Sequence, residues 1–164
     1  MRIIVCPLHD VEAIAYVRRP THILSLISPA AEPTGFSDLA PHHLELRFND
    51  ISAPRDGLVT PSPTDIRSIL GFGRSADILL VHCWAGVSRS TAAAYILACQ
   101  QTGPEHAGSI ASKLRAAAPY ATPNPLMVTT ADQRLDGSGA MQRAIAGIGR
   151  GSDTCWGAAF ELAL

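Results

Sequence analysis

An uninterrupted apolar run that leads directly into a short polar loop is the feature that most constrains the fold of this chain. The run covers residues 77–82 and predicts a strand buried on both faces. An alanine-rich segment, residues 90–101, follows the loop and predicts a helix that Gly103 and Pro104 terminate. The loop itself reads His82-Cys83-Trp84-Ala85-Gly86-Val87-Ser88-Arg89-Ser90. A buried strand that turns through a tight loop into a helix is typical of a layered α/β domain.

Further strands and helices are predicted on both sides of this unit. The predicted strands cover residues 3–6, 22–27 and 43–48, and the predicted helices cover 11–18, 63–70, 105–118 and 126–148. We expect Asp10 to cap the first helix and a break in the last helix at residues 137–139. Strands alternate with helices and are then followed by helices alone. This order predicts an α/β fold in which a mainly parallel central sheet is flanked by helices.

Chain length and charge limit the number of domains and the classes of partner. The 164 residues predict one domain over residues 1–150, followed by a loosely ordered C-terminal tail over residues 151–164. The net charge of −1 offers no basic surplus, so we expect neither nucleic acid nor a membrane surface as a partner. The apolar run at the N-terminus is too short for a signal peptide or a membrane span, which predicts a cytoplasmic protein.

The cysteines do not form a disulfide or zinc pattern. There are four of them, Cys6, Cys83, Cys99 and Cys155, and no two have the close spacing of zinc ligands. The six histidines do not cluster with them either. Cys6 and Cys99 lie in apolar stretches and are predicted to be small core residues, although a resolving role toward an oxidised Cys83 stays open. The sequence therefore predicts no metal site.

The loop after the buried strand combines a nucleophile with an anion site. Backbone N–H groups at the start of a helix point toward one spot, and Gly86 allows the loop to curl around it. Arg89 supplies a planar fork of donors for two phosphate oxygens. The same positive field favours the thiolate of Cys83, and Ser90 can donate a hydrogen bond to its sulfur. The loop is thus predicted to bind phosphate and to attack it.

This loop resembles the signature of the protein tyrosine phosphatase superfamily, His-Cys-x-x-Gly-x-x-Arg-Ser/Thr. The specified positions are all filled, by His82, Cys83, Gly86, Arg89 and Ser90. The resemblance implies a compact fold like that of dual-specificity phosphatases and a cysteine-dependent phosphomonoester hydrolase that forms a phosphocysteine intermediate. It implies catalysis without a cofactor. It also assigns phosphate binding to the loop residues Trp84, Ala85, Gly86, Val87, Ser88 and Arg89, with His82 bracing the loop.

The resemblance further implies a general acid on the loop that follows the preceding strand. Asp50 is the preferred candidate because Phe48-Asn49-Asp50 looks like the acid position of compact dual-specificity phosphatases. Asp56 on the same loop is the alternative, and Asp132 is a third and weaker candidate. Residues 119–125 are similar to a proline–asparagine segment of the same family. The resemblance makes Asn124 a residue that steadies the phosphate loop, while the pattern alone is equally consistent with a simple turn.

The variable positions of the loop bear on the substrate. Trp84, Ala85, Val87 and Ser88 include no lysine, whereas family members that act on inositol phosphates tend to carry lysine there. A single phosphate on a phosphorylated protein, phosphotyrosine or otherwise, or on a small phosphoester is therefore the expected substrate. Two alternatives stay open, a phosphopeptide-binding pseudophosphatase and a rhodanese-like sulfurtransferase. The sequence predicts no oligomeric state.

Overall fold

The computed structural model describes every residue from Met1 to Leu164 and contains five strands and six α-helices. The strands are β1 (Arg2–Pro7), β2 (His22–Ile27), β3 (His42–Arg47), β4 (Ile78–Cys83) and β5 (Phe160–Leu162). The helices are α1 (Val11–Arg18), α2 (Pro63–Gly73), α3 (Arg89–Thr102), α4 (Ala107–Ala117), α5 (Pro125–Arg134) and α6 (Ala140–Ile148). Short 3₁₀ turns cover Leu8–Asp10, Phe36–Asp38 and Pro104–His106. None of the helices has the length and apolar character needed to cross a membrane.

The five strands form one sheet in the order β3-β2-β4-β1-β5. All neighbouring pairs are parallel except β1 with β5, which is antiparallel. The continuous apolar run of β4 lies at the centre of the sheet, where both of its faces are covered. The predicted α/β fold with a mainly parallel sheet flanked by helices is therefore confirmed.

The carboxyl ends of the four parallel strands lie at one edge of the sheet. In the register of β1 with β4, Pro7 stands opposite Cys83, and in that of β2 with β3, Ile27 stands opposite Arg47. The loops that follow these strands are consequently brought together, which is the usual place for a ligand in an open α/β sheet.

Helix α3 is the central packing element behind this edge. Every residue from Arg89 to Cys99 is buried, because sheet and helices surround the helix on all sides. Its small side chains Ala92, Ala93, Ala94 and Ala98 allow those neighbours to approach closely. A core of 32 buried residues covers this face, and a smaller cluster of eight lies under α1 on the other face. The start of α3, where the signature loop ends, is therefore packed against neighbouring elements on all sides.

Some element boundaries differ from those predicted. Asp10 precedes α1 but its side chain makes no capping hydrogen bond. Helix α2 begins with a capping box between Ser62 and Asp65 and continues to Gly73, beyond the predicted end at residue 70. The break expected in the helix over residues 126–148 is present, since α5 ends at Arg134 and α6 begins at Ala140, and Asp136 and Ser138 between them adopt left-handed backbone conformations with φ of 54° and 51°.

The C-terminal segment, for which the sequence predicts a loosely ordered tail, contains the short strand β5. Strand β5 pairs with β1 and closes the edge of the sheet. Its exposed Glu161 accepts hydrogen bonds of 2.8 Å from Arg2 Nε and 3.0 Å from Arg2 Nη2, and a third one from Arg18. Leu162 is buried in the main core. The strand is short, so its order depends on these tertiary partners and not on local propensity.

Candidate active site

The loop between β4 and α3 is held from two sides. Gly86 has a φ of +74°, and a Cβ there would lie 2.8 Å from the backbone nitrogen of Pro7. Glycine is therefore required both by the backbone conformation and by the close approach of β1. The Leu8 amide donates to the Trp84 carbonyl at 3.1 Å, and the Gly157 amide donates to the Ala85 carbonyl at 2.8 Å. The end of β1 and the C-terminal segment thus fix the loop.

Cys83 lies at the mouth of this loop, at the carboxyl end of β4 and before the N-terminus of α3. It is 2% exposed, and its Sγ lies 3.2 Å from the Ser90 hydroxyl oxygen. The helix start and the loop amides supply a positive field at this point. The predicted contact between Ser90 and the sulfur is present in the structure.

The other cysteines lie elsewhere. Cys6 belongs to the small cluster under α1, while Cys83 belongs to the main core on the opposite face of the sheet. Cys99 is buried in α3. Burial raises the pKa of Cys6 and of Cys99 to about 12, so both remain protonated thiols at neutral pH. Cys155 is exposed, and all four cysteines are free.

Arg89 is the cation of the site. Its side chain is 5% exposed, and Nη1 donates to the Phe48 carbonyl at 3.0 Å and lies 3.5 Å from the Ser28 hydroxyl. Its Nε is buried and has no hydrogen-bond partner. A buried donor without a partner is rare, because leaving it unpaired costs about 1–3 kcal/mol. The unpaired Nε is therefore well suited to an incoming anion.

The structure places the two candidate acids differently. Asp50 is exposed, and its Oδ1 accepts hydrogen bonds of 2.8 Å from the Ser88 hydroxyl and of 2.8 Å from the Asn124 amide. Its Oδ2 makes no hydrogen bond within the chain. Asp56 is exposed and makes neither an ion pair nor a side-chain hydrogen bond. Asp50 is thus attached to the phosphate loop through Ser88, and Asp56 is not.

Asn124 connects three parts of the site. Its Nδ2 donates to Asp50 Oδ1 and, at 3.2 Å, to the Ile51 carbonyl. Its Oδ1 accepts from the Leu126 and Met127 amides at the start of α5, both at 3.1 Å. One side chain therefore caps a helix and orients the loop that carries Asp50.

Asp132 lies outside the site. It is buried, and its carboxylate accepts hydrogen bonds from the Gly139 and Met141 amides at 2.6 and 2.8 Å. These bonds fix the turn between α5 and α6. The weakest of the three acid candidates has a structural role.

A hydrogen-bonded chain that the sequence analysis missed leads from the signature histidine to the outer strand. His82 Nε2 lies 2.6 Å from Ser25 Oγ, and the same hydroxyl lies 2.8 Å from His43 Nε2. A hydroxyl has one proton, so Ser25 donates to one imidazole and accepts from the other. Burial lowers the pKa of His82 to about 4 and lowers that of His43 as well, so both rings are neutral at pH 7. The signal in the sequence is a lone serine in the apolar strand β2.

Trp84 forms one wall of the site. It is 57% exposed, and its ring centroid lies 5.8 Å from that of Trp156, which is 44% exposed. The His9 ring packs edge-on against Trp156 at 5.0 Å.

Nowhere in the chain do three or more His, Cys, Asp or Glu side chains come together as a metal-binding group.

Comparison with solved structures reveals a shared fold. The chain matches the crystal structure of the Yvh1 phosphatase domain from Chaetomium thermophilum with a TM-score of 0.59 and 20% identity, over 85% of this chain and 93% of that one. It matches the crystal structure of DUSP15 with a TM-score of 0.60 and 21% identity, over 89% of each chain. A mouse putative dual specificity phosphatase complexed with zinc tungstate matches with a TM-score of 0.54 and 17% identity, over 85% of this chain and 84% of that one.

Comparisons of sequence alone find less. No protein-family model matches the chain, and no curated protein matches it. The likeness therefore lies in the arrangement of the strands and helices around the signature loop. The chain has the fold of the dual-specificity protein tyrosine phosphatases.

Proposed function

We propose that this protein is a cysteine-dependent phosphomonoester hydrolase, a protein tyrosine or dual-specificity phosphatase that works through a phosphocysteine intermediate. The observation that carries the proposal is one loop that holds Cys83 and Arg89 and binds Asp50 through Ser88. The shared fold supports a phosphatase over a rhodanese-like sulfurtransferase.

The first step is an in-line displacement at phosphorus. The Cys83 thiolate attacks, the sulfur–phosphorus bond forms, and the bond from phosphorus to the ester oxygen breaks. Protonated Asp50 gives its proton to the leaving oxygen, which departs as an alcohol or a phenol. Arg89 and the loop amides bind the equatorial phosphate oxygens and stabilise the transition state.

The second step is hydrolysis of the phosphocysteine. Asp50, now a carboxylate, takes a proton from a water molecule that attacks phosphorus, and the sulfur leaves as a thiolate. The Ser90 hydroxyl, 3.2 Å from Cys83 Sγ, stabilises that leaving thiolate. Inorganic phosphate is released and the enzyme returns to its first state.

The first test is hydrolysis of p-nitrophenyl phosphate by the wild type and by single variants. We expect Cys83→Ser to abolish turnover and Asp50→Ala to lower kcat by about 10²–10⁴-fold, because one positioned acid contributes about that much. Asp56→Ala is the matched control from the same loop and should retain wild-type kcat. Arg89→Lys should raise KM and lower kcat, because lysine lacks the two-pronged donor set.

Three results would contradict the proposal in different ways. Full activity in Cys83→Ser would show that Cys83 is not the nucleophile. Loss of activity in Asp56→Ala but not in Asp50→Ala would assign the general acid to Asp56. Tight phosphopeptide binding by the wild type without turnover would indicate a pseudophosphatase, the alternative that retains the same loop.

A further inference from the structure

The cleft onto which Arg89 opens extends well beyond the space that one phosphate needs. It has a volume of about 850 Å³ and lies between the start of α1 and the loop that follows β2. Leu8 and Trp84 line it together with Arg89. A phosphorylated side chain is smaller than this cleft, so the neighbouring residues of a substrate must also contact its walls.

The walls of this cleft are negatively charged. Glu12 lies on the side of α1 and Glu32 on the side of the loop, and both are exposed. Neither carboxylate takes part in an ion pair or a side-chain hydrogen bond. Arg89 is the only cationic residue in the lining, and its buried, unpartnered Nε points to an anion as its ligand. Once a phosphate occupies Arg89, the rest of the cleft presents only negative charge.

The negative surface continues along the outside of α1. A second cleft of about 680 Å³ also has Glu12 in its lining, so the two clefts adjoin at this residue. Asp38 lines this second cleft, and Arg19 is its single cation. The two clefts together offer more space than one phosphorylated side chain fills, so residues that flank it have room beside Glu12.

We infer that the substrate is a phosphopeptide segment with lysine or arginine beside the phosphorylated residue, and that Glu12 and Glu32 bind those cations. This inference rests on the proposed phosphatase function and adds the substrate class to it. Opposite charges across a contact favour the right partner, and like charges reject a wrong one. An acidic peptide, or a ligand with several phosphates, meets unneutralised carboxylates on both sides of the cleft.

The test uses three peptides that carry one phosphotyrosine and differ only in the residues on both of its sides, which are lysine, glutamine or glutamate. We expect kcat/KM of the wild type to fall in that order, with a difference of about tenfold between the lysine and glutamate peptides, as expected for a few partly exposed charges. The ratio should shrink toward one in 0.5 M salt, since screening weakens contacts between exposed charges.

Charge reversal distinguishes recognition from damage to the fold. The double variant Glu12→Lys with Glu32→Lys should prefer the glutamate peptide, an inversion that misfolding cannot produce. Glu105→Gln, an exposed glutamate outside both clefts, is the matched control and should keep the wild-type order. The same peptides are also titrated by calorimetry into Cys83→Ser, so that the order of affinities is measured without turnover.

The outcomes separate this inference from the proposed function. If the wild type fails to hydrolyse p-nitrophenyl phosphate, the proposed phosphatase function is contradicted. The order of peptide affinities measured by calorimetry still tests whether Glu12 and Glu32 bind cationic residues. Hydrolysis of all three peptides at equal rates, or an unchanged order in the double variant, overturns the role of Glu12 and Glu32. Faster turnover of a phosphoinositide than of the lysine peptide overturns it as well.

Discussion

Neutral His82 makes the stability of this protein sensitive to acid in a way that a single substitution can isolate. Burial lowers the pKa of His82 from 6.5 to about 4. Between these two values the unfolded chain binds a proton that the folded chain does not bind, so the free energy of unfolding falls as the pH falls. The loss begins near pH 6.5 and is complete near pH 4. The gap corresponds to about 3 kcal/mol.

The measurement is urea unfolding followed by circular dichroism at several pH values from 7 to 4. The wild-type loss also contains contributions from His22 and His43, whose pKa values burial lowers too. Charges near His82, from His43, Glu45 and Arg89, are smaller influences than its burial. We therefore compare how far the free energy of unfolding falls between pH 7 and pH 4 in the wild type and in His82→Gln. In the variant this one side chain no longer binds a proton.

We expect the free energy of unfolding of His82→Gln to fall by about 3 kcal/mol less than that of the wild type over this pH range. Glutamine still offers a hydrogen bond to Ser25, which limits the cost of the substitution at pH 7. His106→Gln, at an exposed histidine, is the control and should follow the wild-type curve. Parallel curves for the wild type and His82→Gln would refute the reasoning, because they would show that His82 binds its proton equally in both states.

Three further predictions concern the supports of the site. Gly86→Ala should lower the free energy of unfolding by about 2 kcal/mol and abolish the proposed phosphatase activity, because a Cβ meets backbone at a positive φ; Gly108→Ala, where a Cβ has open space in a helix, should be neutral or stabilising. Asn124→Ala should lower the free energy of unfolding by about 1 kcal/mol and lose much of kcat, whereas Asn124→Ser should regain stability through its capping oxygen but not the kcat that depends on holding Asp50; a wild-type kcat in Asn124→Ser would contradict this. Glu161→Gln should speed amide hydrogen exchange in β5 and leave exchange in α3 unchanged, since it removes the carboxylate that Arg2 and Arg18 bind; equal exchange in β5 before and after would show that the ion pairs do not hold the strand.

Much of the layered core could be predicted from the sequence, because local patterns determine it. The apolar runs of β2 and β4 and the alanine-rich α3 have a period and a composition that allow few alternatives. Strand β5 has no such pattern in its three residues and forms only because β1 offers an unpaired edge. The break between α5 and α6 has a local signal in Gly137-Ser138-Gly139, whereas the Asp132 carboxylate that fixes the turn binds amides beyond the end of its own helix.

Local sequence predicts some residues of the candidate site, and tertiary packing determines the others. Cys83, Arg89 and Ser90 belong to one continuous segment, so their spacing alone predicts that they lie together. The resemblance of Phe48-Asn49-Asp50 to a family motif favours Asp50 over Asp56, but composition does not separate them, because both lie on the same polar loop. Asn124, which binds Asp50, comes from a segment 74 residues later in the chain. Only the folded structure shows that Asp50, and not Asp56, is hydrogen-bonded to Asn124.

The contact between Trp84 and Trp156 determines what the intrinsic fluorescence of this protein reports. The chain has two tryptophans; Trp84 lines the cleft beside Arg89, and Trp156 packs against Trp84 with ring centroids 5.8 Å apart. The large aromatic side chains of the core, Tyr95 and Phe48, contribute little emission beside them. Tryptophan emission is therefore a local signal of ligand entry and of detachment of the C-terminal segment. An unfolding transition seen by emission before the one seen by helix content would mark the release of that segment from an otherwise folded domain.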